Sequence, residues 1–403
     1  MRITSKRWRC FLCDVAGAIL GLLLLESLAF FHIVDYRNST WLSDDRFDEK
    51  LIAVHRPHTR EIGSSLGGAF SALYTIPAKD MRSYQWDLRY DRNGFRNAAD
   101  WKHADVVVTG SSYVEGMTIP DAQLMTTLLA RDTGSVVLNL GHNAYGPQQE
   151  LLTLERYGLR LHPKTVIWTF VDFVELKQEM DYRSETKYGT GLWSGFLDRS
   201  LTRRAYRKID HDLKQLEEHT QEAWTPEDVA VVQRSGLVRD AQGQEERIYF
   251  LHPATAMNRQ YREALRQTAE IIGKADRLCA AQGARLIVVF IPDQFRVFHS
   301  FAEFDPRCGC RRWVLDEEPQ LLRSAVRSIS PEIGYVDLTP FMTGAVQRGI
   351  IPYYTDDNHW SAVGHQIAAA AISEYLSRFN GGNGPVVITS NRTPAARELS
   401  DLR

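Results

Sequence analysis

Four runs of apolar, largely β-branched residues constrain this fold more than any other feature. They are ADVVVTG at 104–110, SVVLNLG at 135–141, TVIWTFV at 165–171 and ARLIVVFIP at 284–292. None alternates strictly between apolar and polar residues, so each reads as a strand covered on both faces. Helical stretches separate them at 121–132, 147–160 (with Pro147 at its start) and 257–282. A helix near 316–328, a strand at 334–340 and a last helix at about 362–378 complete the series. Strands and helices in alternation predict an α/β fold, a three-layer α/β/α sandwich with a parallel sheet. In such sheets ligands collect at the carboxyl ends of the strands.

The first residues carry a different signal. Arg2, Lys6, Arg7 and Arg9 precede a nearly apolar run, CFLCDVAGAILGLLLLESLAFFHIV, that ends at Val34. About 20 such residues cross a bilayer. The basic start and the acidic flank (Asp35, Asp44, Asp45) predict a cytoplasmic N-terminus, with the remaining chain periplasmic or extracellular. SLA at 27–29 also resembles a signal-peptide cleavage site, so residues 1–35 read as a transmembrane anchor or a signal peptide. Glu26 lies within the apolar run, where a charge is costly. Residues 36–100 read as an irregular lead-in and 101–380 as the α/β domain. Within that domain 174–255 form a polar insertion, a cap or side lobe, and 381–403 read as a disordered tail.

A formal net charge of −2 offers no argument for a nucleic-acid partner. No Gly-rich phosphate loop follows any strand, which disfavours a flavodoxin-like nucleotide binder. Five cysteines are too few for a disulfide scaffold; Cys279 pairs with one of the RCGC thiols, Cys308 or Cys310, or all three are buried thiols. No metal-ligand spacing links His142, His162 and His365, and nothing implies a cofactor.

The remaining question concerns two copies of Gly-Ser-Ser. A serine hydroxyl is a weak nucleophile until a base takes its proton, and an acid must orient that base. Ser112 follows the strand that ends at Gly110. Far along the chain, YYTDDNHWSAVGH places Asp356 and His359 in the loop before the last helix, with Ser361 as that helix's natural N-cap. The other copy, EIGSSLGG at 61–68, satisfies G-x-S-x-G through Gly63, Ser65 and Gly67. It lacks the preceding apolar strand that a nucleophile elbow needs, and reads as a flexible loop.

These blocks resemble those of the SGNH (GDSL-type) hydrolases. Gly110-Ser111-Ser112 is similar to the family's G-D-S block, with Ser111 in the aspartate's place and Gly116 as the small residue that follows. NGFRN at 93–97 is similar to a segment found upstream of that block, and Asp356-x-x-His359 to the closing D-x-x-H. The resemblance covers roughly 93–172 and 256–378. It implies a triad of Ser112, His359 and Asp356. It also implies oxyanion donors from Ser112 and the loop Gly141–Gly146, where Gly141, Gly146 and Ala144 all offer N–H groups. The family's asparagine has no counterpart, since Val171 or Asp172 occupies its place, and an ionised Asp172 would repel an oxyanion; Asn143 is the nearest substitute. The implied function is a membrane-anchored esterase or acyltransferase acting on small acyl groups of envelope or exported carbohydrate. The missing asparagine motivates the alternative, a non-catalytic SGNH-like protein that binds glycan or scaffolds the envelope.

Overall fold

The computed structural model describes residues 5–39, 45–188, 196, 199–206, 209 and 227–380. The expected tail and the HDLKQLEEHTQE stretch of the insertion lie outside them. The chain forms two compact units, Met1–His55 with Arg183–Glu218, and Arg56–Tyr182 with His219–Arg403. The lead-in read at 36–100 and the insertion read at 174–255 each have residues in both units.

In the first unit, helix α1 (Ser5–Phe30) contains Leu12–Phe30, a stretch long and apolar enough to cross a membrane. Glu26 is not left to the surrounding leucines. Its carboxylate accepts the Thr202 backbone N–H at 2.6 Å and the Thr202 hydroxyl. Strands β1 (Asp45–Asp48) and β2 (Ile52–His55) pair as an antiparallel hairpin.

The second unit opens with another antiparallel hairpin, β3 (Arg60–Leu66) with β4 (Ser83–Arg89). The α/β succession follows: β5 (Val106–Gly110), α2 (Ser112–Glu115), α3 (Met125–Thr133), β6 (Val137–Gly141), α4 (Pro147–Thr153), β7 (Thr165–Val171) and α5 (Val174–Tyr188). Next come α6 (Glu227–Arg234) and the hairpin β8 (Ser235–Arg239) and β9 (Glu245–Tyr249). The chain then returns to the sheet through α7 (Arg259–Ala281), β10 (Arg285–Ile291), α8 (Gln294–Phe298), α9 (Glu318–Ile329), β11 (Gly334–Asp337), α10 (Thr339–Gln347) and α11 (Ala362–Asn380).

Five strands form one parallel sheet in the order β11-β10-β7-β5-β6. Because successive side chains on a strand point to opposite faces, the apolar runs feed two cores. Val106, Val108, Ile167 and Val289 pack with residues of α3, α10 and α11. Val107, Val166, Trp168 and Val288 pack with residues of α4, α7 and α9 on the other face. The fold is the expected α/β/α sandwich. The thiols sort with the faces. Cys279 sits in the second core while Cys308 and Cys310 sit in the first, so the sheet separates them and all three are free.

β6 is an edge strand, whose unpaired backbone invites another strand. Asn97 satisfies it: the amide Nδ2 donates to the Asn139 carbonyl and Oδ1 accepts the Asn139 N–H, both at 2.9 Å. NGFRN is thus a clamp on the sheet beside the candidate site. Its Arg96, fully buried, donates to the carbonyls of Glu115, Gly116 and Ile119 and pairs with Asp121 at 2.6 Å.

Candidate active site

β5 ends at Gly110, Ser111 turns the chain, and Ser112 begins the single-turn helix α2 at the carboxyl edge of the sheet. The loop before α11 reaches the same edge. It is closed by the Tyr353–Trp360 bridge and by the Tyr354 N–H donating to the His359 carbonyl at 3.1 Å. Tyr113 donates its hydroxyl to the Asn358 carbonyl (2.5 Å), and Gln294 donates to the carbonyls of Tyr354 and Asp357. So pinned, the loop sets His359 Nε2 at 2.8 Å from Ser112 Oγ.

The carboxylate behind that imidazole is Asp357, not the expected Asp356. Asp357 Oδ1 lies 2.6 Å from His359 Nδ1 and also accepts the His359 backbone N–H at 2.8 Å. This i to i+2 Asx turn is the local reason the shorter spacing works. Oδ2 accepts the Ala69 N–H at 2.7 Å. Asp356 turns the other way. It takes the Tyr84 hydroxyl at 2.5 Å and the N–H groups of Gly68 and Arg82 at 3.1 and 3.0 Å. Those donors belong to β4 and to the segment that joins β3 to β4. Asp356 therefore ties the hairpin to the loop, while Asp357 faces the histidine. Gly68 permits this approach: a Cβ there would lie 2.6 Å from the Asp357 Cβ and 2.8 Å from the Asp356 carbonyl oxygen.

Electrostatics follow from the geometry. Burial disfavours the His359 imidazolium, but the Asp357 charge and hydrogen bond outweigh it and raise the pKa above 6.5, with Glu115 adding to the rise. Burial raises the Asp357 pKa, yet the histidine and the backbone donors overcome that and hold it below the usual carboxylate value. His365, by contrast, is buried near Arg96 and His359, which pushes its pKa down to about 3; its neutral Nδ1 accepts the Met125 N–H.

The expected oxyanion donors need correction. The Gly141 N–H donates to Asn139 Oδ1 at 2.8 Å, the Gly146 N–H to Gln149 Oε1 at 3.2 Å, and the Asn143 N–H to Glu115 Oε2 at 2.5 Å. The Gly141 and Gly146 N–H groups are thus committed elsewhere, whereas the Asn143 bond uses its backbone and not the side-chain amide expected to replace the family's asparagine. Gly141 is glycine because α2 lies against it, a Cβ meeting Val114 at 2.6 Å. Ala144, one residue past the Glu115 contact, is exposed with a left-handed φ of 61°. Among the described residues no partner takes its N–H or that of Ser112.

Asp172 is no threat to an oxyanion. Its carboxylate is held by Arg296 at 2.5 and 3.1 Å and by the Asp293 N–H at 3.2 Å, and Arg296 also binds Asp316. Val171 is a buried strand end.

Ser65 lies in β3, not in a loop, and its hydroxyl donates to the Gly67 carbonyl at 3.1 Å. His142 stacks on Tyr145. Three residues had no signal in the sequence. Glu115 bridges Tyr90 and Asn143, and Tyr84 anchors Asp356. His252, beside the Phe173 ring, has its pKa lowered to about 4 by burial and by the neighbouring His359, Lys177 and Arg234 charges, so it is neutral at ordinary pH.

A parallel α/β sandwich with a serine after the first strand of its sheet, and a histidine before its last helix, is the arrangement that the resemblance to SGNH-type hydrolases implied. Residues 247–402, less than half of the chain and without Ser112, match a family model described as an SGNH hydrolase-like domain, acetyltransferase AlgX. A search of curated proteins finds no match. Among solved structures, an acetyl xylan esterase (Est2A) from the rumen bacterium Butyrivibrio proteoclasticus is similar over 77% of this chain and 73% of its own, at 8% identity and a TM-score of 0.34. A further crystal structure is similar over 69% of this chain and 97% of its own, at 10% identity and a TM-score of 0.33.

Proposed function

We propose that this protein is a serine-dependent ester hydrolase or O-acyltransferase that moves small acyl groups on carbohydrate outside the cytoplasm. The observation that carries the reading is the continuous relay from Ser112 Oγ through both nitrogens of His359 to Asp357. His359 Nε2 accepts the hydroxyl proton as Ser112 attacks the ester carbonyl, while Asp357 holds the Nδ1–H and stabilises the imidazolium. The uncommitted N–H groups of Ser112 and Ala144 receive the negative oxygen of the tetrahedral intermediate. His359 returns its proton to the departing alcohol, leaving an acyl-Ser112 ester. A second alcohol or water then loses a proton to His359 and attacks that ester, and His359 passes the proton to Ser112 Oγ as the serine leaves.

The match of residues 247–402 to a family model described as an acetyltransferase supports a small acyl group as the group that is moved. The basic residues that precede the apolar stretch Leu12–Phe30 of α1, and the length of that stretch, support a single-pass anchor with the catalytic unit on the periplasmic or extracellular side. Covalent labelling of the full chain in detergent by a fluorophosphonate probe tests the reading. Label on Ser112, absent from Ser112→Ala and slowed in His359→Ala, is expected; folded protein that takes no label at Ser112 is instead the non-catalytic glycan binder. Release of acid, or transfer to an added sugar, then separates hydrolase from transferase.

A further inference from the structure

Thr202 does more than satisfy Glu26. Its N–H and hydroxyl reach a carboxylate four residues, about 6 Å, inside the Phe30 end of the apolar stretch Leu12–Phe30. Three positions earlier, Arg199 donates to His32 Nε2 at 3.0 Å. Phe196 sets its ring edge-on to Phe30, with centroids 5.4 Å apart. The segment thus lies against the Phe30 end of α1 and runs inward along it between Arg199 and Thr202.

Ser200 caps the helical residues 201–206, its hydroxyl accepting the Arg203 N–H and its carbonyl the Arg204 N–H, both at 3.1 Å. Tyr206 and Ile209 follow Thr202 at spacings of four and seven, the stripe that one helix face presents. Thr202 meets α1, whereas Tyr206 is 65% and Ile209 56% exposed. Leu20, Leu23 and Leu24 of α1 are exposed in the same way, as a helix surrounded by acyl chains requires.

The charges gather on the same segment. SLTRRAYRKID at 200–210 carries four basic residues and one acid, and Arg199 precedes it. Among the described residues no carboxylate pairs with Arg203. Asp35, whose charge reaches Arg199, is itself bound to Arg37 at 2.6 Å. Exposed singly, such side chains are ordinary. Gathered beside Glu26 on a helix of bilayer length, they match what a bilayer boundary takes up: a tyrosine and an isoleucine that enter the acyl region, and arginines whose stems lie along it while the guanidinium reaches a phosphate.

We infer that this segment is an interfacial lipid-binding element, in which Arg199 and Arg203 hold the phosphate of an anionic phospholipid while Tyr206 and Ile209 enter the leaflet beside α1. The inference rests on the proposed membrane anchor and deepens it: the anchor is a helix with a second, headgroup-reading contact. It is independent of the chemistry at Ser112.

Amide hydrogen exchange tests it on the full chain in nanodiscs of phosphatidylcholine, with or without phosphatidylglycerol. Peptides covering 201–209 are expected to exchange about tenfold more slowly when phosphatidylglycerol is present. Arg199→Ala with Arg203→Ala is expected to abolish that difference, and the paired lysine variant, which keeps both charges, to restore most of it. Tyr206→Ser with Ile209→Ser is expected to speed exchange in both lipids. Unchanged slow exchange in β7 shows that each variant is folded. A chain that stays in the discs yet exchanges at the same rate in both lipids, with or without the substitutions, overturns the inference alone. A chain that leaves the discs, or whose intact mass lacks residues 1–29, overturns the anchor and the inference with it.

Discussion

The same tripeptide, Gly-Ser-Ser, meets two fates in this molecule. At 110–112 it ends a strand buried on both faces, and the chain must turn at the sheet's carboxyl edge, where Ser112 meets His359. At 63–65 it lies within a two-stranded hairpin, paired residue for residue with β4, and Ser65 bonds only to the nearby Gly67 carbonyl. Both copies nonetheless serve one site. The first supplies the hydroxyl, and the hairpin of the second carries the donors that hold Asp356 and Asp357. Chemistry follows from where a strand ends, not from the motif it contains.

The largest expected effect on this contrast comes from the serines themselves. Ser112→Ala is expected to lower kcat on an aryl acetate by on the order of 10⁶, and Ser65→Ala to leave stability within about 0.5 kcal/mol and the rate unchanged. Comparable losses in both variants would erase the distinction.

The adjacent aspartates sharpen it next. Asp357→Asn removes the charge behind His359 and is expected to cost about 10⁴ in kcat with the fold intact. Asp356→Asn weakens the tie to Tyr84, Gly68 and Arg82. It is expected to cost about 1–3 kcal/mol of stability, read as a lower Tm, with a far smaller effect on rate. An inverted pattern would return the acid's role to Asp356.

The smallest effect is on pH dependence. His359 must be neutral to accept a proton, and Asp357 raises its pKa above 6.5 against the opposing influence of burial. kcat/KM is therefore expected to rise with pH through a midpoint above 6.5, losing about tenfold per unit below it. In Asp357→Asn that midpoint moves down, because the raising charge is gone; an unmoved midpoint would show that another group titrates.

Much of the sheet was legible because its strands are apolar on both faces, a pattern that survives without tertiary information. TVIWTFV is β7 residue for residue, and the last helix begins at Ala362 as expected. The hairpins of residues 45–89 were not legible. Their strands are short and largely polar, and several of their apolar residues, such as Ile62 and Leu66, face solvent. Helix α4 was read too long, for after Thr153 the backbone widens into a π turn at Leu154–Gly158.

The sequence by itself determined the α/β sandwich and singled out Ser112 and His359, since strand ends and chain order locate both. Tertiary structure alone decided between Asp356 and Asp357. Two neighbouring carboxylates are indistinguishable until their donors are known, and Gly68, Ala69, Arg82 and Tyr84 lie more than 270 positions away along the chain. It also decided the fate of Asp172, which Arg296 neutralises from a different segment, and of the Gly141 and Gly146 N–H groups, which neighbouring side chains had already taken. In each case a buried polar group must find a partner, and which partner it finds depends on segments that only folding brings together.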